Sequence, residues 1–208
     1  MVVEFHYLRK SHVSKRLTHF AIILAAGAST RMGTCKTSLP WGEGKTLLTY
    51  QIEQWLSVDF TPLVVLGSHN SHRQKDCHSS ITVINPHPKA GKTTSLLTGL
   101  QNIPANFEVL AISAVDQPRK AEIYQILLQA HQANSALITA PTYEGKMGHP
   151  LLFGNEMRSH LQNIREETFG LRQIIKEFYP VIHKVEFDNP AVLLDINTAE
   201  VYQEHLLK

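Results

Sequence analysis

A run of small residues followed by two cations stands near the start of the chain. The small residues occupy positions 25–30, and Arg31 and Lys36 follow them. Small side chains let a ligand approach the backbone closely, and successive N–H groups in such a loop can point at phosphate oxygens. Two cations match the charge of a polyphosphate. The pattern predicts a triphosphate-binding loop, and an ordinary strand-to-helix turn with solvated charges is the alternative.

Two later segments resemble the end of a Walker phosphate loop but lack its first glycine. They are residues 44–46 and 91–93, both GKT, and the positions five residues before each glycine hold Leu39 and Pro86. Neither segment is therefore a Walker motif. The run at residues 25–30 also lacks the glycine spacing of a dinucleotide-binding loop.

The composition is that of a globular protein with little charge imbalance. Hydrophobic residues make up 43% of the 208 residues and charged residues 18%, which excludes disorder, collagen and coiled coil as the main architecture. The formal net charge is +2, too small for a protein whose chief partner is a nucleic acid. We therefore expect no nucleic-acid partner.

The cysteines and the apolar stretches bear on the compartment. Cys35 and Cys77 are too few for a disulfide scaffold and have no CxxC spacing, so a reducing compartment without a structural zinc site is expected. The apolar stretch at residues 20–26 is far shorter than the ~20 residues of a membrane span. These observations predict a cytoplasmic protein with no membrane partner.

Apolar runs of strand length alternate with segments of helical period through the first two thirds of the chain. The predicted strands are residues 21–24, 62–66, 81–84 and 109–115, and the predicted helices are residues 46–56, 94–101 and 121–133. This alternation is typical of βαβ units that build a mostly parallel sheet. The predicted fold class is α/β, a three-layer Rossmann-like arrangement with helices on both faces of the sheet.

The pattern changes after residue 135. Strand-length apolar segments at residues 136–141, 150–153, 181–187 and 192–196 accompany a turn at residues 144–146 and short helical pieces at residues 157–161 and 171–178. No repeat, low-complexity tract or linker separates this part from the rest. We expect it to cap the first part.

The loop near the start also carries a family resemblance. LAAGASTRMG at residues 24–33, with Lys36 next and LPW at residues 39–41, resembles the MobA-like nucleotidyltransferases, in particular the molybdenum cofactor cytidylyltransferases. The resemblance extends from Phe20 to the end of the chain. Further segments match in the family's order, namely Asn85-Pro86 with Gly91 and Ser95, Asp116-Gln117-Pro118, Gly148-His149-Pro150, Gly170-Leu171-Arg172 and Asp195-Ile196-Asn197-Thr198.

The resemblance implies a GT-A-like nucleotidyltransferase fold and assigns roles to particular residues. The implied nucleotide-binding residues are Leu24, Ala25, Ala26, Gly27, Arg31, Lys36, Asn85, Gly91 and Ser95. The implied catalytic residues are Arg31, Lys36 and Asp116, and the implied acceptor-binding residues are His149 and Arg172. Mg²⁺ is the implied cofactor, with Asp116 as its leading ligand and Asp195 as a second one, because Mg²⁺ prefers carboxylate oxygens.

Several of these residues have structural alternatives. Asp116 can cap a turn, and Asp195 can cap a turn or the last helix. Ser95 can cap the start of a helix. His149 can pack against the sheet or bind a backbone carbonyl.

The expected domain organisation is a basic leader followed by one domain, because no linker divides the rest of the chain. Residues 1–18 form a basic leader that can be disordered, and residues 19–208 form a single nucleotidyltransferase domain. Within this domain, residues 19–118 are expected to bind the nucleotide and residues 119–208 the acceptor.

The activity implied by the resemblance is transfer of CMP from CTP to a molybdopterin-type cofactor, with release of pyrophosphate and a molybdoenzyme as receiver of the product. CTP is favoured because cytidylyl enzymes of the family carry LAAG at this place and guanylyl ones carry an extra glycine. Two alternatives stay open: transfer of guanylyl or another nucleotide to a different phosphorylated small molecule, and a non-catalytic nucleotide-binding regulatory module. Pro88, Lys92 and Phe169 depart from the residues common in the family and keep the regulatory alternative open.

Overall fold

The protein is described by a computed structural model over residues 18–29, 32–42 and 44–206. Most of the expected leader, residues 1–17, lies outside the described residues, and so does the predicted catalytic residue Arg31. Within these three ranges, no helix has the length and apolar character needed to cross a membrane.

The described residues form eight strands and six α-helices. The strands are β1 (His19–Ala25), β2 (Thr61–Gly67), β3 (Ile81–Asn85), β4 (Val109–Ala114), β5 (Ile138–Tyr143), β6 (Lys146–Met147), β7 (Leu151–Gly154) and β8 (His183–Glu186). The helices are α1 (Leu47–Leu56), α2 (Lys92–Gln101), α3 (Ala121–Ala133), α4 (Arg158–Gln162), α5 (Leu171–Glu177) and α6 (Ala199–Leu206).

All eight strands join one mixed sheet with a parallel core. The order across the sheet is β3-β2-β1-β4-β7-β5-β6, with β8 paired to β5. Strands β1 to β4 are parallel to one another, whereas β7 runs antiparallel between β4 and β5. The prediction of an α/β fold with a mostly parallel sheet is therefore confirmed.

Helices cover both faces of this sheet. Successive side chains of a strand point to opposite faces, so Ile22 packs in one buried cluster with Leu96 of α2, and Ile23 packs in another with α1 and α3. In the second cluster, the rings of Trp55 and Tyr124 are stacked with centroids 3.5 Å apart. The predicted arrangement of three layers is present.

Helix α1 shows how a local signal sets an element boundary. Thr46 accepts a hydrogen bond from the backbone N–H of Thr49, and Thr49 Oγ1 accepts one from the N–H of Thr46. This reciprocal capping satisfies N–H groups that have no partner within the helix. The helix consequently begins at Leu47, one residue later than the prediction.

The apolar segment at residues 192–196 forms no strand. Its first residues belong to the 3-10 turn Pro190–Leu193, and Asn189 Oδ1 accepts a hydrogen bond from the N–H of Ala191 at 2.8 Å. Proline fixes φ and has no N–H to donate to a sheet ladder. Val192 and Ile196 are instead buried side chains of an irregular segment, which runs towards the carboxyl ends of the parallel strands.

The parallel strands place three chain segments at one edge of the sheet. Strand β1 ends where the run of small residues begins, β3 ends at Asn85, and β4 ends two residues before Asp116. Loops that follow the carboxyl ends of parallel strands are the usual place for ligand sites in such sheets. The fold thus brings residues that are far apart in sequence to one edge.

Candidate functional site

An open cleft lies at this edge of the sheet, between the loops that follow β1 and β4. It includes the last two residues of β1, the first two residues of the loop that follows, a lysine from each side and the acid after β4. Its lining residues are Leu24, Ala25, Ala26, Gly27, Ser29, Lys36, Thr37, Lys92, Ser95, Ala114, Val115, Asp116 and Asn197. Of the predicted nucleotide and catalytic residues, Asn85 and Gly91 do not line the cleft, and Arg31 lies outside the described residues.

The loop after β1 is held in place by a buried asparagine. Asn70 Nδ2 donates a hydrogen bond to the carbonyl of Ala25 at 2.8 Å, and Asn70 Oδ1 accepts one from the N–H of Gly67 at 2.8 Å. Further along, Ser29 Oγ accepts a hydrogen bond from the backbone N–H of Lys36 at 3.1 Å. The hydrogen bond between Ser29 and Lys36 brings Lys36 back beside the loop after β1, where Lys36 lines the cleft.

Lys36 makes the central contact of the cleft. It begins the 3-10 turn Lys36–Ser38 and is only 8% exposed. Its ammonium donates hydrogen bonds to Asp116 Oδ2 at 2.7 Å and to Asn197 Oδ1 at 2.9 Å. A buried cation from the first loop therefore lies against an acid from the end of β4 and an amide from near the C-terminus.

The end of β4 is fixed from two sides. Gln51 of α1, fully buried, donates hydrogen bonds from Nε2 to the carbonyls of Val115 at 2.6 Å and Ala114 at 3.2 Å. The N–H of Ile196 donates to the carbonyl of Asp116 at 2.8 Å. Because backbone atoms on both sides of its Cα are held, the Asp116 side chain has a defined position at the floor of the cleft.

Asp195 and Asn197 face different partners. Asp195 is exposed, and its Oδ1 accepts a hydrogen bond from Gln117 Nε2 at 2.9 Å. Asn197, two residues later, lines the cleft and binds Lys36. The structure therefore places Asn197 beside Asp116 in the cleft, whereas the predicted metal ligand Asp195 is bound to Gln117.

The oxygen atoms around Lys36 suit a divalent cation. Asp116 Oδ2 and Asn197 Oδ1 both lie within 2.9 Å of Lys36 Nζ, so two hard oxygen donors lie close to each other, and an ion bound to both would take the place that the ammonium occupies. No group of three or more His, Cys, Asp or Glu in the described ranges could hold a metal ion. Mg²⁺ is commonly bound by one or two protein ligands, with phosphate and water oxygens completing its shell. The donor set fits such an ion.

Asn85 and Gly91 support the start of α2 from behind the cleft. Asn85, 1% exposed, donates from Nδ2 to the hydroxyls of Thr94 and Ser95, each at 2.9 Å. Gly91 has a φ of +106°, and a Cβ at this position would lie 2.2 Å from the carboxyl carbon of Glu166. Glu166 itself accepts a hydrogen bond from the N–H of Thr93 at 3.0 Å. These contacts orient α2, whose Lys92 and Ser95 reach the cleft.

The two predicted acceptor residues lie in different surroundings. His149 is partly buried; burial lowers the pKa of its imidazole, and the positive charges of Arg119 and Lys92 lower it further. The negative charges of Asp195 and Asp116 oppose this shift. Arg172 is exposed on α5 and does not line the cleft.

Several residues that shape the site were not among the sequence predictions as site residues. Asn197 lies inside a segment that the sequence analysis singled out for its acid. Lys92 drew notice only within a GKT segment that is not a Walker motif and as a departure from the family. Nothing in the neighbouring sequence marks Asn70 or Gln51 as a buried residue of the site, because polar residues in turns and on helices are usually solvent-exposed.

Comparisons with known proteins identify the family of this chain. The family model described as MobA-like NTP transferase domain matches residues 21–183. The molybdenum cofactor cytidylyltransferase of Escherichia coli is 28% identical over 189 residues, which are 86% of this chain and 91% of that protein.

Solved structures share the fold. Rv0371c of Mycobacterium tuberculosis superposes with a TM-score of 0.78 at 21% identity, over 92% of this chain and 98% of that one. A complex of Rv0371c with manganese gives a TM-score of 0.73 at 19% identity, over 92% and 99%. With the family model matching most of its length, this chain belongs to the MobA-like NTP transferase family and is a nucleotidyltransferase.

Proposed function

We propose that this nucleotidyltransferase transfers CMP from CTP to the phosphate of a molybdopterin-type cofactor and releases pyrophosphate. The observation that carries the proposal is the contact of Lys36 with Asp116 and Asn197 in a cleft lined by the loop after β1. The cytidylyltransferase from Escherichia coli, 28% identical, supports the choice of nucleotide and acceptor. Delivery to a molybdoenzyme and a cytoplasmic location stay predictions.

The triphosphate binds along the loop after β1 in this proposal. Backbone N–H groups around Gly27 supply fixed dipoles, and the Lys36 ammonium supplies a positive charge. Arg31 adds a second cation from the same loop. Ser95 borders the other side of the cleft, with Asn85 and Gly91 orienting the helix that carries it.

The reaction is an in-line displacement at phosphorus. A phosphate oxygen of the acceptor attacks the α-phosphorus of CTP, a new P–O bond forms, and the bond from the α-phosphorus to the bridging oxygen breaks. Lys36 stabilises the negative charge that develops on the departing pyrophosphate, once its ammonium has turned from Asp116 and Asn197 to the phosphate oxygens. No protein nucleophile is required.

Asp116 and the amide oxygen of Asn197 would exchange their hydrogen bonds from Lys36 for a Mg²⁺ ion, which would neutralise phosphate charge. Asp195 is an alternative ligand that would have to exchange its hydrogen bond from Gln117. The manganese complex of Rv0371c supports a divalent ion in a protein of this fold. Residues 119–208 supply the acceptor side, with His149 and Arg172 as its contacts.

The side chain of Ala26 favours a pyrimidine nucleotide. Ala26 is 6% exposed and lines the cleft, so its methyl group takes up space that a glycine would leave open. Overpacking of this kind costs ~1–3 kcal/mol. The proposal therefore ranks CTP above GTP.

The test measures pyrophosphate release from each of the four common nucleoside triphosphates, with purified molybdopterin cofactor and Mg²⁺. We expect CTP to be the only one of the four nucleotides that releases pyrophosphate, and we expect this release to require both the molybdopterin cofactor and Mg²⁺. Release with GTP alone would replace this proposal by guanylyl transfer. Nucleotide binding without any release would favour the regulatory module.

A further inference from the structure

Arg119 is a buried cation whose hydrogen bonds all go to backbone carbonyls. It is 2% exposed. Its Nε donates to the carbonyl of His149 at 3.1 Å, and its Nη2 donates to that of Val192 at 2.8 Å. Its Nη1 donates to Pro118 at 2.9 Å and to Leu194 at 2.8 Å. Four of the five N–H donors of the guanidinium are thus used.

The guanidinium keeps its charge in this position. Burial lowers the pKa of Arg119 to about 10, and the negative charges of Asp195 and Asp116 partly counter the effect of burial. The group is therefore protonated at neutral pH. A buried charge that lies among four carbonyl oxygens is held in one orientation, because the planar donors of arginine have a fixed geometry.

The four carbonyls belong to three segments of the site. Pro118 follows Asp116, His149 lies in the predicted acceptor loop, and the 192–194 segment leads to Asn197. The acceptor loop and this segment are also in direct contact, since the N–H of His149 donates to the carbonyl of Val192 at 3.0 Å. A Cβ at Gly148 would lie 2.2 Å from the same carbonyl oxygen. The backbones of residues 148–149 and 192–194 are therefore closely packed next to Arg119.

We infer that Arg119 is a positioning residue for the acceptor: it holds His149 and the 192–194 segment against the strand end that carries Asp116. The identity of the acceptor in this inference rests on the function proposed above. Among the residues that the structure describes, the guanidinium of Arg119 bonds to none that lines the cleft. Its effect on the reaction is exerted through the backbone of the loops it joins.

The nucleotide side has supports of its own. Ser29 holds the backbone of Lys36, and Gln51 holds the strand end before Asp116. Asn70 holds the loop at Ala25. Loss of Arg119 should therefore weaken binding of the acceptor far more than binding of CTP.

The test compares Arg119→Met and Arg119→Lys with a matched control, Arg158→Met. Arg158 on α4 also donates only to carbonyls, those of Pro104 at 3.1 Å and Leu100 at 3.5 Å, but outside the cleft. Steady-state kinetics give KM for CTP and for the molybdopterin cofactor separately. Both Arg119 variants should raise the KM of the cofactor at least tenfold and leave that of CTP within twofold, and Arg158→Met should change neither.

Lysine keeps the charge but not the planar donors, so it should not restore the KM of the acceptor. Recovery in Arg119→Lys, equal changes in the two KM values, or no change would each overturn the inference. If Arg119→Met does not fold, the lysine variant decides by itself.

A second readout needs no substrate and separates this inference from the proposed function. The ring resonances of His149 in the free protein, assigned with His149→Gln, should shift in Arg119→Lys and stay in place in Arg158→Met. If wild-type protein uses another nucleotide or acceptor, the function proposed above fails while this shift still tests the inference. Unshifted His149 resonances would overturn the inference whichever substrates are used.

Discussion

The Lys36 ammonium lies 2.7 Å from Asp116 Oδ2, although the two residues are 80 positions apart in sequence. Their side chains are 10% and 18% exposed, so water screens the pair less than it screens a surface ion pair. The loop after the first strand and the acid after the fourth strand thus form one site.

Removal of the Asp116 carboxylate should abolish metal-dependent turnover without unfolding the protein. Asp116→Ala is expected to lower the rate of pyrophosphate release by at least about 100-fold, since it removes a metal ligand from the reacting centre. The circular dichroism spectrum should be unchanged. Glu53→Gln is the matched control, because Glu53 pairs with Lys45 at 2.6 Å outside the cleft. Normal turnover in Asp116→Ala would refute the metal assignment.

Asn197 should bind the metal through its amide oxygen, and the strength of binding should follow the charge of the side chain placed at this position. Asn197→Ala is expected to weaken Mn²⁺ binding about tenfold, and Asn197→Asp is expected to strengthen it, because the variant places a second carboxylate beside Asp116. Titration of the Mn²⁺ electron paramagnetic resonance signal measures both. Asp195→Ala is the comparison, and a larger loss in that variant than in Asn197→Ala would return the second ligand position to Asp195.

Acid should destabilise the protein through His131. Burial lowers the pKa of His131 from 6.5 to about 4, with the charges of Glu156, His183, His19 and Glu108 as smaller influences. The unfolded chain therefore takes up the proton first. The stability contributed by the neutral ring is fully present above pH 6.5 and falls by about 3 kcal/mol as the pH drops from 6.5 to 4.

Urea unfolding at pH 7.5 and pH 4.5 measures this loss for wild type and for His131→Gln. The free energy of unfolding should depend less on pH in the variant than in wild type. His78→Gln, at an exposed position, should keep the wild-type dependence. The same loss of stability in all three proteins would show that another group is responsible.

Gly91 should be intolerant of a side chain for two separable reasons. Its φ of +106° disfavours an L-residue, and a Cβ would meet the Glu166 carboxylate at 2.2 Å. Gly145 has a φ of +73° and no atom within 4 Å of its Cβ position. Gly145→Ala should therefore lower the free energy of unfolding only by the cost of the backbone conformation, about 1 kcal/mol. Gly91→Ala should lower it further.

The double variant Gly91→Ala, Glu166→Ala separates the clash from the backbone strain. It should recover part of the stability lost in Gly91→Ala, relative to Glu166→Ala alone. Thermal unfolding measures all four variants. If Gly91→Ala and Gly145→Ala lose equal stability, the contact with Glu166 has no energetic weight.

The sequence was sufficient to predict the elements that carry the site. Buried parallel strands are continuous apolar runs, so β1 and β4 were recognisable, and parallel strands bring their carboxyl ends together. The meeting of the loop at Gly27 with Asp116 follows from those two facts. The resemblance to the family added the order of the later segments.

The contacts that orient the site could not be predicted in the same way. Asp195 and Asn197 are two residues apart, and which of them faces the cleft depends on the burial of Ile196 between them and on the hydrogen bond from Gln117 to Asp195. Arg119 resembles a surface residue in the sequence. Its four carbonyl partners come from three segments that only the tertiary structure brings together.

A crystal structure with a non-hydrolysable CTP analogue and Mn²⁺ would locate both ligands in one experiment, because the anomalous signal of manganese identifies the ion independently of the nucleotide. We expect one manganese peak coordinated by Asp116 and Asn197, with the triphosphate along the loop at Gly27 and in contact with Lys36. A triphosphate or a manganese ion bound away from this cleft would contradict it.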